Sequence, residues 1–363
     1  MPDKTPTISG LRARAVEVPI ARPLATSGGS VSIAPLVLID LETKQGIVGR
    51  AYVFYYASFA LAPLVALIEA LGEMIVGDEA APLDIEAKLQ QRFRLLGAQG
   101  FAGIALSGID MAAWDIFAKA ADQPLVRALG AAPRPIPAYN SNGLGIIGPD
   151  RAAKEAAELA APGFGAIKVR LGYPDIETDL AVIAAVRGAV PAGTRLVTDY
   201  NQSLSVAEAS RRIARLDALG LDWVEEPTRF DDYAGHAEIR AKARTPIQLG
   251  ENCWGPPDML KALEAGACDL FMPDAGKIGG VTGWLRAGAL AGARELPISS
   301  HLYPEVSAHL LATAPSAHWL EYVDWANPIL AEPIAIEDGN AVIPEHPGIG
   351  IEWNERAVKK YLA

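Results

Sequence analysis

Three acidic residues, Asp199, Glu225 and Glu251, stand 26 residues apart, each at the end of a short apolar run. Those runs belong to a longer series: RPIPAYNS, AIKVRL, RLVTDYN, DWVEEPT, IQLGEN, LFMPDA, PISSHL and HWLEYV follow one another from about residue 133. Alanine-rich amphipathic stretches such as VAEASRRIARLDALG and DMLKALEAG separate several of them. Short apolar runs bounded by turn residues read as buried strands, and parallel strands need a helical crossover between them. Eight units of this kind predict an α/β chain, a (β/α)8-type barrel rather than an open sheet. No glycine-rich dinucleotide fingerprint follows the first run and no P-loop occurs, so a nucleotide-binding fold is not indicated.

The first third follows a different pattern. Residues 34–54 read as a hairpin, with apolar β-branched runs on both sides of the turn TKQG. Helical periodicity follows at 60–76 and 103–121. The tail, with GNAVIPEHPGIGIEW at 339–353, is β-rich again. The expected organisation is an α+β capping domain over 1–130, a (β/α) barrel over 131–325, and a segment over 326–363 that returns to pack on the cap.

Composition narrows the function classes. A net charge of −11 argues against a nucleic-acid surface. Two cysteines, Cys253 and Cys268, make a disulfide framework improbable. The chain shows neither a long uncharged apolar run nor a secretory leader pattern, so no membrane association and a cytoplasmic location are expected.

Barrel enzymes place their chemistry at the C-terminal strand ends. Those ends supply Lys168 and Arg170, Asp199 and Asn201, Glu225 or Glu226, Glu251, Asp274, His301 and Glu321. Three carboxylates on successive strands repel one another unless a cation lies between them. An all-oxygen ligand set suits Mg2+, with Mn2+ as substitute. Of the adjacent pair, Glu225 is expected to face inward and Glu226 outward. Asp274 and His301 close neighbouring strands, and a carboxylate beside a histidine orients it as a general base. Glu321 follows Trp319, and apolar neighbours could hold it protonated as a donor to a developing oxyanion.

The motifs GIDMAAWD, DYNQSL, EEPT, MPDAGKIGGVTGW, SSHL and AHWLE, spread along the whole chain, resemble the mandelate racemase subgroup of the enolase superfamily. The resemblance implies an enolase-like, modified TIM barrel with an N-terminal cap. It implies that Asp199, Glu225 and Glu251 bind Mg2+ beside a carboxylate oxygen and the 2-hydroxyl of a small-molecule carboxylate substrate. Lys168 would neutralise the other carboxylate oxygen, and Glu321 would stabilise the ene-diolate left when the α-proton departs. His301, polarised by Asp274, would carry that proton on one face. Asn201 and Ser141 would hold substrate or metal-side oxygens, and a homo-oligomer is implied.

One position departs from the pattern. The subgroup carries Lys-x-Lys on the second strand, its second lysine serving the opposite face; here the motif is Lys168-Val169-Arg170. An arginine is a poor proton acceptor, so two-base racemisation is in doubt. The resemblance implies cap loops that close over the site, here 23–35 and 52–58, in which Leu24, Val31, Phe54 and Tyr56 align with apolar pocket positions and Gly28 would open extra room. An apolar or aromatic 2-hydroxy acid is therefore expected, since a sugar acid needs many buried polar partners. The leading expectation is Mg2+-dependent α-proton abstraction, racemase-like but impaired at Arg170. An acid-sugar dehydratase and a non-catalytic ligand-binding relic are the alternatives.

Overall fold

In the computed structural model of the chain, residues 5–26 and 28–363 are described. The cap begins with a three-stranded antiparallel sheet, β1 (Ile8–Thr26), β2 (Gly29–Thr43) and β3 (Val48–Phe54). Helix α1 (Leu61–Glu73) packs on it, α2 (Pro82–Arg92) packs on α3 (Phe101–Ala120), which also covers the sheet, and a single turn, α4 (Leu125–Ala128), leads to the barrel. The hairpin expected at 34–54 is formed by β2 and β3, paired from Glu42–Val48 to Leu36–Phe54. Among the described residues, only α3 is long and apolar enough to cross a membrane, but 83% of its apolar window is buried inside the fold.

The long first strand is not what the sequence suggested. Residues 23–35 were expected as a loop, yet Leu24 pairs with Val31 and Thr26 with Gly29. Pro19 and Pro23 hide this strand, because proline cannot donate to a ladder. The pairing indeed slips between Pro19 and Leu24 and then resumes. The result is a hairpin tip that projects from the cap sheet.

The barrel alternates strand and helix: β4 (Ile136–Asn140), α5 (Pro149–Ala160), β5 (Ala166–Arg170), α6 (Ile176–Ala189), β6 (Arg195–Asp199), α7 (Val206–Leu216), β7 (Val224–Glu225) and α8 (Tyr233–Lys242). It continues through β8 (Ile247–Leu249), α9 (Pro256–Glu264), β9 (Leu270–Phe271), α10 (Gly280–Ala293), α11 (Pro304–Thr313) and β10 (Leu320–Tyr322). Strands β4 to β9 pair in chain order, and β10 pairs in parallel with β4. The seventh place is held only by single bridges, Phe271–Ile298, Ile298–Ala317 and Asp274–His301. PISSHL is too short for a full strand, but it sits where a strand was expected.

Beyond the barrel, β11 (Ala335–Glu337) and β12 (Asn340–Val342) form a hairpin that pairs with β4. This part of the tail therefore extends the barrel sheet rather than the cap. The following residues reach the cap: Ile349 N–H donates to Asp115 at 2.6 Å, and the Trp353 indole donates to buried Asp40 at 2.7 Å. Helix α12 (Glu355–Tyr361) leads to a bridge between Leu362 and Val16 of β1.

Candidate active site

The barrel interior is built in layers, and the polar layer follows from strand periodicity. Tyr139, Ala166, Val197 and Trp223 pack with Leu270 and Trp319 into an apolar plug. Alternate side chains share a face, so the interior positions two residues further on are Ser141, Lys168, Asp199, Glu225 and Glu321. On β5, the intervening Ile167 and Val169 turn outward into the core beneath the surrounding helices. Glu251 breaks this rhythm. Gly250, at φ 132°, shifts the phase by one residue, and a Cβ there would lie 2.9 Å from Met272 N and the Phe271 ring. Only glycine allows this turn, and it delivers Glu251 to the same layer.

The ligand oxygens of Asp199, Glu225 and Glu251 lie within 4.8 Å of one another. Lys168 Nζ sits 2.7 Å from Glu225 Oε1, 3.0 Å from Glu321 Oε1 and 3.2 Å from Asp199 Oδ2. Burial opposes the ammonium charge, but Glu225, Glu321 and Asp199 raise its pKa well above the usual lysine value. Lys168 is thus a fixed cation. Glu225 is pushed well upward by burial and by the neighbouring carboxylates, against the pull of Lys168. Each carboxylate has one neutral donor close in sequence: Asn201 for Asp199 at 2.9 Å, Trp223 for Glu225 at 3.2 Å, Asn252 for Glu251 at 2.9 Å. The buried carboxylates Asp199, Glu225, Glu226, Glu251, Asp274 and Glu321 outnumber the buried cations Lys168, Arg170 and Lys277. Charge, oxygen donors and spacing all fit a divalent cation.

His301 and Asp274 are brought together as expected, Nδ1 lying 2.6 Å from Asp274 Oδ2. Nε2 faces Glu251 Oε2 at 3.2 Å. Burial pulls the imidazole pKa down, but Glu251, Glu321 and Asp274 bring it above its ordinary value. Glu321 corrects the sequence reading. Burial favours its protonated form, but Lys168, His301, the Leu302 N–H and the Ser141 hydroxyl together hold it well below the usual carboxylate range. Glu321 is ionised here, because its neighbours across the barrel are charged donors rather than the apolar residues near it in sequence.

Arg170 is tied into the wall. Its Nη1 donates to the carbonyls of Ser141 at 2.7 Å and Gly143 at 2.9 Å, and Nη2 donates to Ser141 Oγ at 2.8 Å. Ser141 Oγ in turn donates to Glu321 Oε1 at 2.7 Å. Much of the polar capacity of Ser141 and Asn201 is therefore spent on Glu321, Arg170 and Asp199, although both residues line the cavity. Glu226, expected to look outward into a loop or helix contact, is buried and accepts from Asn252 Nδ2, in the loop after β8, at 2.8 Å. Asn252 Oδ1 accepts from Lys277, whose ammonium lies 5.6 Å from the Tyr56 ring centroid.

Above these groups is a cavity of about 420 Å³ whose lip is the cap hairpin tip. Leu24, Val31 and Tyr56 line it, joined by Leu302, Val323 and Trp325, which the sequence reading did not identify. Phe54 lies behind the lining, its ring 4.7 Å from Tyr56 and 5.3 Å from Trp325. Trp223 was also overlooked, though its position two residues before Glu225 was a usable signal.

Comparison with known proteins agrees with this architecture. Residues 9–130 match the family described as mandelate racemase / muconate lactonizing enzyme, N-terminal domain, and residues 151–357 match enolase C-terminal domain-like. A solved enolase from alpha proteobacterium bal199 with bound magnesium is 44% identical with a TM-score of 0.97, over 99% of this chain and 100% of that one. An enolase from Bradyrhizobium complexed with magnesium and mandelic acid is also 44% identical, with a TM-score of 0.95 over 99% of both chains. The L-talarate/galactarate dehydratase of Salmonella typhimurium is 30% identical over 89% of this chain and 81% of its own length.

Proposed function

The chain belongs to the enolase superfamily, as an enzyme with an acidic triad able to bind Mg2+, and on that premise we propose that it abstracts the α-proton of an aromatic or apolar 2-hydroxy carboxylate. The observation that carries this reading is the His301–Asp274 pair. With Nδ1 anchored at 2.6 Å, the tautomer is fixed and Nε2 is the nitrogen left to take a proton from substrate in the cavity.

The remaining residues stabilise the ene-diolate. Asp199, Glu225 and Glu251 would hold Mg2+, which would supply positive charge beside the substrate carboxylate. Lys168 adds a second, fixed positive charge in the same dry layer. Glu321, in its ionised form, holds Lys168 and the Leu302 N–H in place beside the substrate. Each well-placed donor is worth roughly 3–4 kcal/mol of transition-state stabilisation.

Arg170 makes the reaction one-sided. Its Nη1 is engaged by two carbonyl oxygens and Nη2 by a hydroxyl, so it serves as a clamp on residues 141–143 rather than as a base. The apolar side of the cavity, from Leu24, Val31, Tyr56 and Trp325, favours an aromatic substituent, and the mandelic acid in the similar Bradyrhizobium protein supports that class. A second reading, dehydration of an acid sugar by the same His301, is favoured by the Salmonella dehydratase among the relatives.

The test is incubation of each mandelate enantiomer with the protein and Mg2+ in D2O, following α-proton loss and optical rotation. The expected result is exchange of one enantiomer with retention, abolished by His301→Asn. Inversion of both enantiomers would make Arg170 a working base. Absence of exchange together with 2-keto acid formation from a sugar-acid library would establish the dehydratase instead.

A further inference from the structure

The polypeptide immediately after His301 is unusual. Leu302 and Tyr303 are consecutive non-glycine residues with positive φ, 50° and 48°. Side chains disfavour this conformation, and such residues persist only where surrounding contacts hold them. Leu302 is held from within the barrel, its N–H donating to Glu321 Oε2 at 2.9 Å. Tyr303 is held from the cap. Its buried hydroxyl accepts the backbone N–H of Phe54, at the end of β3, at 3.0 Å. Its ring lies 5.3 Å from Tyr52 of the same strand, and the Tyr52 hydroxyl donates to Glu305, two residues beyond Tyr303, at 2.7 Å.

The Tyr303 hydroxyl also lies against the turn that follows the other member of the dyad, Asp274. The loop after Asp274 folds back on it, with the N–H groups of Gly276 and Lys277 donating to Asp274 Oδ1 at 2.7 and 3.1 Å. A Cβ on Gly276 would stand 2.5 Å from the Tyr303 hydroxyl and 3.0 Å from Asp274 Oδ1. The phenol is thus wedged between a cap backbone amide and the turn that orients Asp274. We infer that Tyr303 is a positioning residue that transmits the seating of the cap strand to the geometry of the His301–Asp274 pair. This rests on the proposed role of that pair in proton transfer. A tyrosine only filling space would need no hydrogen bond to Phe54, and a phenylalanine would serve as well.

The test compares wild type, Tyr303→Phe and Gly276→Ala by nuclear magnetic resonance and kinetics. Tyr303→Phe keeps the ring and should keep the fold and Mg2+ affinity. It should speed hydrogen exchange at the Phe54 amide at least tenfold and shift the low-field proton between His301 and Asp274. In the exchange assay kcat should fall about tenfold with KM little changed. Gly276→Ala should shift the same proton, and less so when combined with Tyr303→Phe, since the clashing oxygen is then gone. An unmoved dyad proton in Tyr303→Phe, or unchanged protection of Phe54, overturns the inference. Both resonance readouts stand even if mandelate is not a substrate, so failure of the functional reading is told apart from failure of this one.

Discussion

Trp223, the residue just before β7, donates its indole N–H to Glu225 across 3.2 Å. The indole is buried in the apolar plug, edge-on to Tyr139 with ring centroids 5.4 Å apart. It cannot follow Glu225 if the carboxylate moves. A metal ligand anchored in this way is preorganised. Trp223→Phe keeps most of the plug but removes the donor, and Mg2+ affinity by titration calorimetry is expected to fall about 10–100-fold. Unchanged affinity would mean that Glu225 is oriented by Lys168 alone.

The crowding of carboxylates predicts opposite effects with and without metal. Burial and neighbouring negative charge push Glu225 well above its ordinary pKa, so its ionised form costs stability. Glu225→Gln should therefore stabilise the metal-free protein, by on the order of 1 kcal/mol. The same variant should lose the stabilisation that wild type gains from Mg2+, about 2.7 kcal/mol at a hundredfold excess over Kd. Urea unfolding with EDTA and with Mg2+ checks both arms.

Arg170→Lys offers a base where the wild type has a clamp. Loss of the bonds to the Ser141 and Gly143 carbonyls should cost about 1–3 kcal/mol of stability. In D2O the variant is expected to exchange, slowly, the enantiomer that His301 does not serve. If that enantiomer stays inert, residue 170 does not face the reacting carbon.

His309 should govern part of the acid sensitivity. Its Nδ1 accepts the Val126 N–H at 3.1 Å, so Nε2 carries the proton and donates to the Ile349 carbonyl, also at 3.1 Å. Burial lowers its pKa to about 4. A depressed folded-state pKa gives stability that is intact above pH 6.5 and lost as pH falls towards 4. Between pH 7 and 4.5, wild type should lose about 2.5 kcal/mol more than His309→Gln in urea unfolding. Parallel curves would show that the imidazole charges without penalty.

Much of the polar layer was legible because strand periodicity carries it. Lys168, Asp199, Glu225 and Glu321 each follow an interior apolar residue by two, and Asp274 and His301 close adjacent strands. Other features depend on relationships that no local pattern contains. The ionised state of Glu321 is set by Lys168 and His301 from other strands. Arg170 is a clamp because the Ser141 and Gly143 carbonyls happen to face it. The first cap strand was obscured by its own prolines, and buried Glu226 meets Asn252 from the loop after β8.

The chain leaves the cap to build the barrel and returns to it, where Ile349 and Trp353 are hydrogen-bonded to Asp115 and Asp40. The barrel is thus tied to the cap by two separate crossings of the chain, and the second is fixed by two buried aspartates. The hairpin tip that lines the cavity lies beyond the register slip at Pro19–Leu24, where the sheet ladder is interrupted. The prolines that hide the strand from sequence reading, Pro19 and Pro23, fall at the interruption that sets the cavity lip apart from the rest of the cap sheet.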